Sequence, residues 1–358
     1  MQTYYGSDGQ ALVRAQQNPW LIGRKEDISF FFLPVIVAVA VYYLAQTQLV
    51  ANSMFLTMIA AYGFGLGPLH QGATWFTYFD KDNLAYYKGN QINRFRFFIL
   101  PPVLILTGIV ATIACPQFLF GALTVCHVDH LVQQSVRLSR LYRKEDKFAT
   151  TNFELEGISQ YSIAFAFTLV GFYRFDFLGF ASMPGALFLT IAICVIAMLS
   201  ALAYLGGIYR QHMDGLPLNL PALLFWILSV LAWVPGALVS NYFVAFLIPL
   251  TIHWFQFLGM NAILVERKAA CTTCSATDSR RSLFRPAGIL FGVCFIYLSM
   301  FVFIDFLCHS PVSVYLRGIC LGVLAGLSMC HYMLDTFIWR FQDEYQQQHI
   351  LPYIIKSD

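Results

Sequence analysis

Long runs of apolar residues, separated by short polar stretches, make up most of the chain. A helix needs about 20 apolar residues to cross a bilayer, and roughly ten of the runs approach or exceed that length. They lie at 28–48, 53–79, 96–114, 117–142, 155–174, 183–207, 219–239, 241–265, 284–307 and 312–339. The pattern therefore predicts an all-α, polytopic membrane bundle of about ten transmembrane helices.

The polar stretches divide the chain into three parts. Residues 1–27 are expected to form a cytoplasmic or interfacial segment, 28–342 a single transmembrane domain, and 343–358 a cytoplasmic tail. A polar loop at 266–283 separates the first eight predicted helices from the last two. The N-terminal segment lacks the apolar stretch of a signal peptide, so no cleaved leader is expected.

The composition supports this class. The chain of 358 residues is 58% apolar and only 11% charged, whereas soluble domains carry about 25% charged residues. The basic residues lie at the predicted membrane edges, so the net charge of +3 does not indicate a nucleic-acid partner. Membrane lipids are the expected surroundings.

The positions of lysine and arginine predict the orientation. If the N-terminus is cytoplasmic, 20 of the 22 basic residues fall on the cytoplasmic side, with Arg174 and Arg317 as the exceptions. Cytoplasmic loops of membrane proteins carry an excess of basic residues. Both termini are therefore predicted to be cytoplasmic.

Five histidines lie inside apolar segments: His70, His127, His130, His253 and His331. Each precedes a charged residue at the cytoplasmic end of its predicted helix by 9 to 13 residues. At 1.5 Å per residue, these spacings correspond to about 14–20 Å. The four helices concerned are predicted to run in the same direction, so the five imidazoles are expected at one depth in the bilayer.

A polar residue follows four of the five histidines, namely His70, His130, His253 and His331, by about one turn on the same helix face. These residues are Thr74, Gln134, Gln256 and Asp335. Metal-bound histidine usually donates its second ring nitrogen to a carboxylate, carbonyl or water, which fixes the ring. Asp335 and Gln134 are the candidate catalytic residues, with Asp335 either orienting His331 or providing a further ligand.

A single histidine in a membrane helix is as often an interhelical hydrogen-bond donor as a metal ligand. Several at one depth favour a metal or haem site, because ionisable groups are costly in lipid and usually functional. Four or five neutral nitrogens with one carboxylate suit iron better than magnesium or calcium. Non-haem iron is the leading cofactor, with haem b or zinc as alternatives.

The sequence leaves three functions open. The leading one is a non-haem iron oxygenase or related oxidoreductase that takes a lipid or isoprenoid substrate from the bilayer, with an electron-donor protein as a possible partner. A b-type haem electron-transfer protein and a metal- or proton-coupled transporter are the alternatives. A haem held by two histidines would not explain the fifth histidine, and no inverted repeat supports transport.

The nine cysteines do not suggest a disulfide framework, since most lie in apolar segments. Cys271 and Cys274 form a single CxxC in the predicted polar loop. One such motif is half of a zinc site or a weak redox motif, and an ordinary loop is the simpler interpretation.

Three elements carry a resemblance to known proteins. They are His331-Tyr332-x-x-Asp335-x-x-Ile338-Trp339-Arg340, Asn18-Pro19-Trp20 with Asp27, and His130-x-x-Gln133-Gln134 followed by Leu141-Tyr142-Arg143-Lys144. They resemble a group of functionally unassigned bacterial polytopic membrane proteins, which implies a multi-pass protein of the bacterial inner membrane. In architecture, the chain is distantly similar to Brp/Blh-type carotene dioxygenases, which hold one iron with histidines. The histidine boxes of fatty-acid desaturases are absent.

The predicted orientation can be tested at Cys271 and Cys274. A membrane-impermeant thiol reagent should not label them in intact cells but should label them after permeabilisation, because the loop is predicted to be cytoplasmic. A variant with both cysteines changed to serine supplies the background. Labelling of these two cysteines in intact cells would show that the orientation is inverted.

Overall fold

The computed structural model describes residues 20–46, 53–143, 153–238, 242–273, 286–309 and 313–355. Within these ranges all regular secondary structure is helical and there is no strand. The predicted all-α fold class is therefore confirmed. The proposed Asn18-Pro19 element and Cys274 lie outside the described residues.

Eleven helices of eight or more residues make up the described part of the chain. The first, α1, has three consecutive parts, Arg24–Asp27, a π-helical turn Ile28–Phe32, and Leu33–Gln46. The others are α2 Ser53–Tyr78, α3 Lys81–Lys88, α4 Gln91–Ala114, α5 Pro116–Tyr142, α6 Phe153–Arg174, α7 Ala186–Met213, α8 Leu220–Leu231, α9 Tyr242–Thr273, α10 Pro286–His309 and α11 Val314–Ile338. Shorter helical turns lie at Phe177–Ser182, Pro235–Leu238, Glu344–His349 and Leu351–Ile354.

Each of the ten predicted apolar segments overlaps a helix in the described part of the chain, although the segment at 219–239 contains α8 and the separate short helix Pro235–Leu238. Five of the described helices, namely α4, α7, α9, α10 and α11, have stretches long and apolar enough to cross a membrane. The protein thus has the character of a membrane protein. The count of ten spans and the sidedness of the termini stay predictions.

The helices differ in how deeply they lie in the bundle. In the most apolar stretch of α9, 72% of the residues are buried, against only 17% in α4 and in α10. The outer helices therefore expose apolar side chains such as Leu106, Ile191 and Ile296. An exposed apolar surface of this kind suits contact with lipid. The deep burial of α9 places that helix at the centre of the bundle.

Glycines bring α11 into backbone contact with α4. A Cβ atom on Gly322 would lie 2.4 Å from the Cα of Ile109, and one on Gly326 would lie 2.5 Å from the Cα of Ile105. Small residues at such a four-residue spacing let membrane helices approach closely. This contact fixes the position of α11 along α4.

Asp27 holds the start of α1 against α5. Its carboxylate is fully buried and accepts hydrogen bonds from the backbone N–H groups of Leu21 and Ile22, at 2.7 and 3.0 Å, and from the Tyr142 hydroxyl, at 2.8 Å. Burial raises the pKa of Asp27, and these donors oppose the effect because they favour the charged form.

The helix α9 extends further than the sequence indicates. It continues to Thr273, so the first part of the polar loop expected at 266–283 is helical. The Arg267 guanidinium donates to the backbone carbonyls of Tyr353, Ile354 and Ile22. Tertiary contacts therefore prolong this helix beyond its apolar part, and residues 274–283 lie outside the described ranges.

The close contact between α4 and α11 predicts that the loss of stability on replacing a glycine of α11 by alanine depends on which glycine is replaced. Gly322→Ala should destabilise the protein by about 1–3 kcal/mol, the usual cost of overpacking, because the added methyl group meets backbone atoms. Gly318→Ala is the matched control, since its Cβ meets only the Ile113 side chain at 3.3 Å. Thermal unfolding in detergent measures both, and equal melting temperatures would refute the close contact.

Candidate metal centre

Four imidazoles meet in the buried core of the bundle. His70 comes from α2, His130 from α5, His253 from α9 and His331 from α11, and each residue is at most 5% exposed. One potential ligand atom from each lies within 4.8 Å of the others. Four helices distant in sequence therefore present nitrogen donors to one point, and this group can hold a metal ion.

The imidazoles form two close pairs. The Nε2 atoms of His70 and His331 are 2.8 Å apart, and those of His130 and His253 are 3.1 Å apart. The pairs lie side by side, because the ring centroids of His130 and His331 are 4.8 Å apart. All four Nε2 atoms thus take part in contacts within the group.

These distances suit a single ion. Metal–nitrogen bonds of about 2.0–2.1 Å place neighbouring ligand nitrogens roughly 3 Å apart and opposite ones roughly 4 Å apart. The four nitrogens need only small side-chain shifts to reach that geometry. The donor set is chemically suitable as well, because neutral imidazole binds iron, zinc and copper.

Asp335 adds an oxygen donor beside the imidazoles. Its Oδ2 atom lies 3.7 Å from Nε2 of His331 and 3.8 Å from Nε2 of His130. This buried oxygen has no hydrogen-bond partner among the described residues. A buried carboxylate oxygen without a partner is costly, and a bound cation would compensate it.

Thr74 links Asp335 to His331 and fixes the orientation of that imidazole. The Thr74 hydroxyl donates to Oδ1 of Asp335 at 2.7 Å, and its oxygen lies 2.8 Å from Nδ1 of His331. The hydroxyl has one proton, which the carboxylate receives, so Nδ1 of His331 must donate to Thr74. Nε2 of His331 is then unprotonated, and its lone pair faces Nε2 of His70 at 2.8 Å within the group.

Aromatic side chains cover the imidazoles on their apolar sides. Trp254 and Phe257 lie with ring centroids 5.7 and 5.9 Å from that of His70, and Tyr332 lies 4.7 Å from that of His130. Such packing keeps bulk water away from these faces. The site is therefore a polar group enclosed by an apolar bundle.

His127 is the one predicted ligand that the structure leaves outside the group of four. Its ring packs against Phe246 and Tyr332, at centroid distances of 5.4 and 5.1 Å. His127 is three residues before His130, so it lies about 4.5 Å further along the α5 axis. That offset takes it past the level of the other imidazoles.

Gln134 lies near the site but not on its nitrogen atoms. Its amide donates to the backbone carbonyl of His253 at 3.3 Å and to Oε1 of Gln256 at 3.2 Å. These bonds hold α5 against α9. Gln134 and Gln256, the polar residues one turn after His130 and His253, thus bond to each other. A catalytic role for Gln134 stays a prediction.

Arg137 is a site residue that the sequence did not single out. Its guanidinium donates to the backbone carbonyls of Asp335, at 3.0 Å, and Thr336, at 3.3 Å, at the end of α11. A further bond of 2.9 Å joins it to Oε1 of Gln133. The sequence did contain a pattern that indicates Arg137 as a site residue, because Arg137 follows His130 by two helical turns and so shares its helix face.

Comparisons with known proteins give no further guidance: no protein-family model, curated protein or solved structure matches the chain. The resemblance based on the His331-Tyr332-x-x-Asp335 element therefore stays a prediction, as does the similarity to Brp/Blh-type proteins.

The role of Thr74 predicts different effects for two conservative changes. Thr74→Val keeps the shape but removes the hydroxyl, and it should weaken metal affinity by about 10–100-fold, as loss of a group that orients a metal ligand usually does. Thr74→Ser keeps the hydroxyl and should stay close to the unmodified protein. Competition with a chelator measures both affinities, and equal values for the two variants would contradict the link through Thr74.

Proposed function

We propose that this protein is a membrane-embedded metalloenzyme that binds one non-haem iron ion through His70, His130, His253 and His331. The observation that supports the proposal is the meeting of four buried imidazoles from four helices within 4.8 Å. A purely structural hydrogen-bond role would need only pairs. It gives no reason for both pairs and a carboxylate to share one position.

The donor set favours a transition metal. Four neutral nitrogens and one carboxylate oxygen suit iron, whereas magnesium and calcium prefer oxygen ligands. Zinc accepts histidine as readily, and it is the main competitor of iron in this site. Direct metal analysis is therefore part of the test below.

A b-type haem fits the observed distances less well. Axial histidine nitrogens of a haem lie on opposite faces of the macrocycle, about 4 Å apart across the iron. The Nε2 atoms of His70 and His331 are only 2.8 Å apart, and those of His130 and His253 are 3.1 Å apart. Neither pair leaves space for a macrocycle, so a single ion is the better fit.

The chemistry that we propose is oxidation of a lipid or isoprenoid. Bound iron would supply either activation of dioxygen or polarisation of a substrate oxygen. The residues of this chain would hold the ion, balance its charge through Asp335 and exclude bulk water with Trp254, Phe257 and Tyr332. An apolar substrate suits a site enclosed in the bundle, and an oxidation that needs electrons would require a donor protein.

Metal analysis of the purified protein tests this proposal. We expect iron without a haem Soret band in the visible spectrum. His130→Ala should remove most of the bound metal, because it deletes one of four donors and leaves Asp335 beside an incomplete site. His127→Ala is the matched control on the same helix, and it should keep the metal because His127 lies outside the group.

Four results would contradict all or part of the proposal. A Soret band would indicate haem, and purified protein without a transition metal would exclude a resident ion. Equal metal loss in His127→Ala and His130→Ala would show that the site is not the group of four. Zinc in place of iron would keep the metal site but refute the redox chemistry.

A further inference from the structure

A narrow cleft reaches the histidine group from the end of α11. Its cavity volume is about 20 Å³. It is lined by His130, Gln134, Arg137, Leu138, Met260, Asp335, Trp339 and Phe341. Trp339 and Phe341 lie beyond Ile338, the last residue of α11, so the cleft opens towards the polar end of the bundle.

The volume of the cleft limits what it can hold. The space inside it holds about one water molecule. An acyl or isoprenoid chain contains many more atoms than one water molecule and does not fit in this space. The cleft therefore suits a small molecule and not the apolar substrate.

The inner end of the cleft is polar. It is lined by His130 and by Asp335, whose Oδ2 atom is buried, lacks a hydrogen-bond partner among the described residues, and lies 3.8 Å from Nε2 of His130. By contrast, Trp254, Phe257 and Tyr332 cover the apolar sides of the group. A ligand arriving through the cleft would meet a polar position between His130 and Asp335.

The charge on the wall favours neutral or anionic ligands. Arg137 lines the cleft, and its guanidinium is held there by the carbonyls of Asp335 and Thr336. A fixed guanidinium repels cations along a narrow, poorly hydrated path and attracts anions. The Asp335 carboxylate on the same wall carries the opposite charge, which the proposed metal ion would balance, so the path admits neutral and anionic ligands.

We propose that this cleft is the entry path and binding position of a small, neutral or anionic ligand, such as water, dioxygen or a simple inorganic anion, which reaches the metal from the polar end between His130 and Asp335. The inference rests on the proposed metal site. It separates the path of the small reactant from that of any apolar substrate, which must reach the site by another route.

Azide binding to the Co²⁺-loaded protein tests the path. Azide is a small anion that binds Co²⁺, and Co²⁺ at a histidine site has visible bands that change when an anion binds. Leu138 lines the cleft, is 1% exposed, and is not one of the four histidines of the group. Leu138→Phe should slow azide binding by about tenfold or more, because a close-packed wall has no room for the added atoms.

Two further variants complete the design. Leu138→Met conserves volume and should bind azide like the unmodified protein. Leu138→Ala widens the cleft and should bind azide faster, and this variant decides the question if Leu138→Phe does not retain Co²⁺. The Co²⁺ content of every sample is measured before azide is added.

The outcomes separate the two proposals. Absence of Co²⁺ from the unmodified protein would refute the metal site and the cleft proposal with it. Bound Co²⁺ whose bands do not respond to azide would refute the cleft proposal alone. Equal azide rates in Leu138→Phe, Leu138→Met and Leu138→Ala would also refute it, because the ligand would then arrive by another path.

Discussion

The need to satisfy polar atoms in an apolar interior governs this structure. A buried imidazole or carboxylate without a partner costs several kcal/mol, and lipid offers no hydrogen bonds to replace water. Here the imidazoles of His70, His130, His253 and His331 contact one another. The helices α2, α5, α9 and α11 must therefore lie side by side at one level, and that requirement sets the arrangement of the bundle's centre.

The position of α11 is fixed by contacts on both sides of His331. Towards its start, Gly322 and Gly326 lie against the backbone of α4. Towards its end, Arg137 donates to the carbonyls of Asp335 and Thr336. Between these contacts, Thr74 bonds to both His331 and Asp335. The imidazole and the carboxylate are thus held in place before any metal binds, which lowers the cost of binding.

The surroundings of the site are asymmetric. Aromatic rings enclose the imidazoles on the apolar sides, whereas a narrow polar cleft reaches His130 and Asp335 from the end of α11. A metal in such a place would be shielded from bulk water yet open to one small molecule. Electrostatic interactions strengthen where water is excluded. This environment would therefore suit a reaction between the metal and a small molecule that enters through the cleft.

The sequence alone determined the membrane character, the helical segments and the common level of four of the five predicted histidines. Apolar runs of spanning length admit only helices or closed barrels in lipid, and the rise of 1.5 Å per residue converts spacing from charged ends into depth. The pairing of His331 with Asp335 on one helix face also followed from helical spacing. These conclusions depend on local geometry, which a single chain segment carries by itself.

Only the tertiary structure decided which histidines meet. His127 and His130 share a helix and nearly share a face, and their sequence spacing gives no reason to prefer either one. The level at which α5 packs against α9 and α11 brings His130 to Nε2 of His253 and leaves His127 against Phe246. The link from Asp335 through Thr74 to His331 has the same origin, since it joins α2 to α11 across 257 positions of sequence. Helical periodicity assigns a residue to a face and a depth, but the rotation and offset between helices are set by packing contacts such as those of Gly322 and Gly326.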